Sequence, residues 1–186
     1  MIVEIDDLDD PEFGKYFTSF EDSAWRLETL PVYDVGYERE GFERFLAGDS
    51  DFARKQPSSW IDKVITPAVD QGRYIGRVHV IERTTDEAGN LALGEYLRFE
   101  FKCYYERNRA AGEDIRIAWT EPGTWPRNVW GQGHDFWLFD DHTVVEMHYD
   151  ENGTFRKAVV YDDAQYAARA RRCQRYALRA SKPFYP

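Results

Sequence analysis

Apolar positions first recur at helical intervals. Phe13, Phe17, Phe20, Ala24 and Leu27 are spaced by three and four, which places them on one helical face. Asp10 is a suitable N-cap, and Pro11 fits the first helical position. The pattern predicts a helix over part of 11–29, broken near Ser19 and stopped by Pro31. "EREGFERFLAGD" reads as a second helix ending at Gly48. "PSSWIDKVITPAVDQG" reads as a third, with Trp60, Val64 and Ala68 on one face, a kink at Pro67 and a stop at Gly72.

The period then changes to two. In "YIGRVHVIERT", Arg77, His79 and Ile81 alternate with Val78 and Val80, as in a strand. "LALGEYLRFEFKCYYERNRAAG" fits either period, and its length, its "ERNRAAG" ending and Gly112 favour a helix. "DIRIAW" is a short strand. "NG" at 152–153 marks a hairpin that sets Met147 opposite Ala158 and Val145 opposite Val160. A preceding two-residue turn at Asp141 and His142 would set Leu138 opposite Val145 and Phe136 opposite Met147. Phe136, Leu138, Val145, Met147, Ala158 and Val160 would then share one face of a three-stranded meander. The chain closes on a helix whose Tyr166, Ala170, Cys173 and Ala177 form a stripe capped by Asp162 or Asp163.

The expected architecture is a single α+β domain over 1–186. It has N-terminal helices, an antiparallel sheet of about five strands that includes the C-terminal meander, and a closing C-terminal helix. With 42% hydrophobic and 16% aromatic residues, the chain has the means to build a packed core rather than remain disordered. No apolar run approaches the length of a membrane span. The acidic start "MIVEIDDLDD" is unlike an export signal, and two cysteines outside any CxxC pair suggest a reducing compartment, so a cytoplasmic protein is expected.

The net charge of −10 reads against direct nucleic-acid binding. Its distribution is uneven. Residues 1–22 carry eight acids and one lysine, whereas 164–182 carry Arg169, Arg171, Arg172, Arg175, Arg179 and Lys182 and no acid. Two solvated faces are the plain reading, and two interaction surfaces the sharper one.

Signs of chemistry are sparse. His142, Glu146 and His148 share strand parity and offer metal-type ligands, but a surface pair of Glu146 or His148 with Lys157 explains them more simply. Asp140 and Asp141 suit a turn. Cys103 and Cys173 sit on apolar stripes, as inert thiols do. "RLE" at 26–28 and "YLRFE" at 96–100 place Arg two residues before Glu, a spacing that does not face on a helix, so both read as scaffold charges. No GxSxG, GxGxxG or Walker pattern occurs, and neither a metal nor a cofactor is expected.

"SAWRLETL", "YDV", "YLRFEF", "AGEDIRI", "DFWLFD" and "VVEMHYDENG", in that order, resemble an uncharacterised actinobacterial domain-of-unknown-function family. The likeness runs from about Phe17 to Tyr176, and "AGEDIR" and "DFWLFD" are its most specific parts. It implies a small cytosolic protein often encoded beside helix-turn-helix regulators, and it carries over no catalytic residue. The "TEPGTWPRNVWGQGH" loop is longer than the family pattern.

Two functions follow as expectations. One is a non-enzymatic accessory protein that binds a protein partner, plausibly a helix-turn-helix regulator. Trp125 and Trp130 would anchor that partner, and Asp6, Asp7, Asp9 and Asp10 would steer it. The alternative is a hydrolase or nuclease of a defence or toxin module, with its site between the 121–134 loop and the 135–161 meander. A deep pocket holding Glu, His and Arg together would favour the second. A flat apolar patch rimmed by charge would favour the first.

Overall fold

The computed structural model describes residues 2–126 and 134–185. Its centre is parallel. Strand β1 (Ile2–Ile5) is followed by helix α1 (Pro11–Ser19) and strand β2 (Ser23–Glu28). Helices α2 (Arg39–Leu46), α3 (Asp51–Lys55) and α4 (Thr66–Asp70, preceded by a π turn over Ile61–Ile65) then lead to strand β3 (Tyr74–Glu82). A small hairpin, β4 (Thr84–Thr85) and β5 (Leu91–Ala92), precedes helix α5 (Glu95–Glu100). A π turn (Phe101–Tyr105) and helix α6 (Glu106–Ala110) continue α5 and lead to strand β6 (Asp114–Thr120). Strands β7 (His134–Phe139), β8 (Thr143–Tyr149) and β9 (Phe155–Tyr161) form the meander, and helix α7 (Ala164–Ala180) and strand β10 (Lys182–Pro183) end the chain.

Eight strands form one mixed sheet in the order β1-β9-β8-β7-β2-β3-β6-β10, with β2, β3 and β6 parallel. The expected five-stranded antiparallel sheet is thus corrected to eight mixed strands. Parallel neighbours need long crossovers, and the helical segments between β2 and β3 and between β3 and β6 supply them. Helices cover both faces. α1 and α4 lie on one, over Ala24, Ile75, Trp137 and Val145, and α7 lies on the other, over Trp25, Leu27, Val78 and Phe136.

The first helix is half the expected length because β2 takes its second half. Asp140 decides the boundary. Its carboxylate accepts the backbone N–H groups of Glu21, Asp22 and Ser23 at 2.9, 2.8 and 2.9 Å, which a continuing helix would have used internally. The segment over 91–111 is helical from Glu95 to Ala110, as its ending suggested.

The meander keeps one expected register and loses the other. Met147 pairs with Ala158 and Val145 with Val160, but Leu138 pairs with Val144 and Phe136 with Glu146. The β7–β8 turn holds three residues instead of two, with Asp140 and Asp141 at φ 49° and 59° and Phe139 opposite Thr143. A slip of one residue moves side chains to the other face. Phe136 and Leu138 therefore pack under α7, whereas Val145 and Met147 pack under α1. Gly153, at φ 80°, fixes the β8–β9 loop. A Cβ there would lie 2.3 Å from the Val32 carbonyl oxygen, so only glycine allows the loop to meet the segment after β2.

Candidate active site

Strand parity brings charge under the helical layer. Arg26 and Glu28 alternate with Trp25 and Leu27 on β2, and Arg77 and His79 alternate with Val78 and Val80 on β3. The parallel register aligns Arg26 with Arg77 and Glu28 with His79. Glu28 ends its strand, Arg77 and His79 lie in the middle of β3, and Glu113 precedes the first residue of β6, so the group sits over the centre of the parallel strands. Glu100 of α5, Tyr105 of the π turn and Glu113, just before β6, close around it.

The group is deeply buried: Glu28, Arg77, His79, Glu100 and Glu113 are each at most 6% exposed. Charges so placed must be paired. Arg77 bridges two carboxylates, with Nη1 3.0 Å from Glu28 and Nε 2.6 Å from Glu113. Arg26 Nη1 is 3.1 Å from the same Glu28 oxygen. Burial alone would raise the Glu28 pKa, but Arg26, Arg77 and His79 outweigh it and hold the carboxyl at about 2.

The partners of His79 favour its charged form. Its Nε2 lies 2.8 Å from the Leu30 carbonyl oxygen, which can only accept. Its Nδ1 lies 2.8 Å from the Tyr105 hydroxyl, whose single proton goes to ionised Glu28 at 2.7 Å. With that proton so directed, Nδ1 donates to the Tyr105 oxygen, an arrangement that favours the charged ring. Burial opposes this charge, but Glu100 and Glu28 overcome it and raise the pKa.

Above the network opens a cavity of about 1010 Å³, within the size range of small-molecule sites. Tyr33, Tyr96, Tyr149, Trp60 and Trp137 contribute aromatic lining. The Arg26 guanidinium lies 5.6 and 5.4 Å from the Tyr33 and Trp137 ring centres, and its buried Nε has no hydrogen-bond partner among the described residues. Among the described residues Glu100 Oε2 likewise meets no hydrogen-bond donor, though it is 3.4 Å from His79 Nδ1. On the cavity wall, burial and then the charge of Glu100 push Glu38 up to about 7, against the pull of a 2.8 Å hydrogen bond from Tyr96. Glu38 is therefore placed to exchange protons near neutrality.

Glu28, His79 and Glu100 have ligand-type atoms within 4.8 Å of one another. The charges around them disfavour a metal there. Glu28 is held by two guanidiniums and Tyr105, and both His79 nitrogens are engaged, by Tyr105 and the Leu30 carbonyl.

Acid should dismantle this network. The folded-state pKa of Glu28 lies below its ordinary value of 4.5, so its stabilisation is complete above that value and is lost as pH falls toward about 2. The difference corresponds to about 3 kcal/mol for this one group. Urea midpoints between pH 6 and 2 should fall mainly within that window, and Glu28→Gln should flatten the fall.

The sequence-chosen residues lie elsewhere. Trp125 is half-buried, packs on the α7 face and meets Tyr176 edge-on at 5.3 Å. Trp130 lies outside the described residues. Asp6, Asp7 and Asp9 are exposed, and Asp10 caps α1 through the Glu12 N–H at 2.8 Å. Asp9 and Asp10 stand at the cavity rim, on the face opposite Trp125. Of the site expected between the 121–134 loop and the meander, residues 127–133 lie outside the described residues. The meander contributes Trp137, Met147 and Tyr149 to the cavity, but Trp125 faces the other side of the sheet. His148 and Glu146 approach to 3.7 Å, and Lys157 pairs with Glu4 at 2.9 Å.

A family model described as "Domain of unknown function (DUF6879)" matches residues 11–185. The chain belongs to this family. No protein of curated function matches the DUF6879 chain significantly. Solved structures resemble its fold at low identity. Nuc from Salmonella typhimurium, a phospholipase D family member, aligns with TM-score 0.52 and 13% identity over 100% of the DUF6879 chain and 99% of its own. NucT from Helicobacter pylori aligns at 0.50 and 10% over 99% and 98%. TrmBL2, an archaeal chromatin protein with a novel mode of DNA binding, aligns at 0.50 and 10% over 99% of the DUF6879 chain but only 53% of its own. These likenesses concern the fold. Among the described residues, no helix is long and apolar enough to cross a membrane.

Proposed function

We propose that the chain is a hydrolase acting on a small phosphate ester in the cavity over β2 and β3. The observation that carries this reading is the Glu–His–Arg network at the floor of one deep pocket, the arrangement that separates an enzyme from a flat docking module. Arg26, with an unpartnered Nε and aromatic rings beside it, would hold the anionic group. Glu38, poised near neutrality, would take the proton of the attacking water. Arg77, Glu28, Tyr105 and His79 would keep the floor rigid and charged. The fold likeness to a phospholipase D family member supports an ester-cleaving reading without supplying residues.

The test is turnover of bis-p-nitrophenyl phosphate and p-nitrophenyl phosphate by purified protein between pH 5 and 9, with Arg26→Met as control. Hydrolysis that Arg26→Met weakens mainly through KM supports the proposal. No turnover of either compound, or turnover indifferent to Arg26, overturns it. In that event the partner reading, with Trp125, Trp130, Asp6, Asp7, Asp9 and Asp10 as contacts, becomes the one to pursue by pull-down.

A further inference from the structure

Helix α7 covers the sheet face opposite the cavity and has a chemistry of its own. Ala167, Ala170, Cys173 and Ala177 are buried against the sheet, so the helix uses its apolar side for packing. The outward side holds Arg172, Arg175, Tyr176 and Arg179, all exposed, and Lys182 follows just beyond. The helix contains five arginines and no acid. Neither Arg172, Arg175, Arg179 nor Lys182 makes an ion pair with a described residue, whereas many arginines elsewhere do. Arg116 on β6 adds a further charge at this end, bound to Ser181 at 3.1 Å.

We propose that the outer face of α7 binds single-stranded nucleic acid. The net charge of −10 does not forbid it. At physiological salt, charges farther apart than about 8 Å are largely screened, so the potential at this face is set by the residues on it. Asp162 and Asp163 adjoin only the first turn of the helix, and Glu121 lies in the loop that leads to Trp125. Arg172, Arg175 and Arg179 are three and four residues apart, which spaces them about 5 Å along the axis. Their planar forks suit phosphate. Between them stands Tyr176, 43% exposed, with Trp125 edge-on at 5.3 Å. An exposed ring among arginines is the platform on which unpaired bases stack. An anionic membrane is the poorer fit. Interfacial helices insert an apolar face, and the apolar face of α7 is already spent on the sheet.

The test uses the whole chain, a fluorescein-labelled 20-nucleotide DNA of mixed sequence, and anisotropy at 50 to 200 mM NaCl. Binding should weaken with salt. Replacing Arg172, Arg175 and Arg179 together by Gln should lower affinity at least tenfold and reduce the log–log salt slope by about 2, since each phosphate contact contributes about 0.7 for a single strand. Tyr176→Ala should lower affinity about tenfold and leave the slope unchanged. Lys55→Gln, at an exposed position outside α7, should change neither. Circular dichroism melts would confirm that these surface variants fold. The proposal is overturned by absent or salt-indifferent binding, by loss equal in Lys55→Gln, or by sedimentation with phosphatidylserine vesicles without oligonucleotide binding.

Discussion

Arg77→Met should destabilise the domain by about 3–5 kcal/mol, enough to leave much of the chain unfolded at 37 °C. Arg77 is the cation shared by two carboxylates, and its side chain is 8% exposed. Methionine nearly fills the space, so packing loss is small and the effect isolates the charge. Glu113, with a side chain fully shielded from solvent, would lose its 2.6 Å partner, and Glu28 would keep Arg26, the more distant His79 and its neutral donor Tyr105. An uncompensated carboxylate in that position must protonate or draw water inward. Adding Glu113→Gln should restore part of the lost stability, because the variants share one network and do not add. Urea unfolding followed by tryptophan fluorescence measures both. A single variant within 0.5 kcal/mol of wild type would show that the network is open to water.

Glu38→Gln should lower kcat/KM about 10²–10⁴-fold on any phosphate ester the chain hydrolyses, the usual loss on removing a positioned general base. Its sign with pH is defined. The active form is the carboxylate, and Glu38 is pushed up to about 7, so the wild-type rate should climb through that pH and level above it. Glutamine should erase the climb as well as the rate. Tyr96→Phe offers a subtler check. The Tyr96 hydrogen bond favours the ionised carboxylate, so its loss should move the climb to higher pH while leaving the plateau within an order of magnitude. A profile unmoved by either variant would remove Glu38 from the reaction.

The sequence exposed the periodic parts of this fold and concealed its middle. The β3 alternation, the helix from Glu95 to Ala110 and the stripe of α7 were legible because each keeps one period for several turns. Strand β2 was not. Its Ala24 and Leu27 continue the spacing begun by Phe13 and Phe17, and the carboxylate that ends α1 comes from Asp140, more than a hundred residues away. That one misreading hid the site. On a helix Arg26 and Glu28 point apart, whereas on a strand they sit side by side and meet at 3.1 Å. Arg77 and His79 were correctly placed on one face of β3, but nothing local shows that Glu28 lies beside His79. Glu38 gave no signal at all, since its proton affinity is set by burial and by Glu100.

The β1–β9 pairing has a consequence for how the chain is made. Ile2 lies opposite Tyr161 and Ile5 opposite Ala158, so β1 docks on a strand synthesised more than a hundred residues later. At ordinary synthesis rates of about 5–20 residues per second, β1 waits on the order of ten seconds before its partner exists. Until then Ile5, only 2% exposed in the finished sheet, has no cover, and the backbone beside it bonds only to water. Glu4 and the run from Asp6 to Asp10 adjoin it, and like charges on neighbouring nascent chains repel. The acidic residues beside β1 would thus oppose pairing between nascent copies, and in the finished sheet Lys157 meets Glu4 at 2.9 Å.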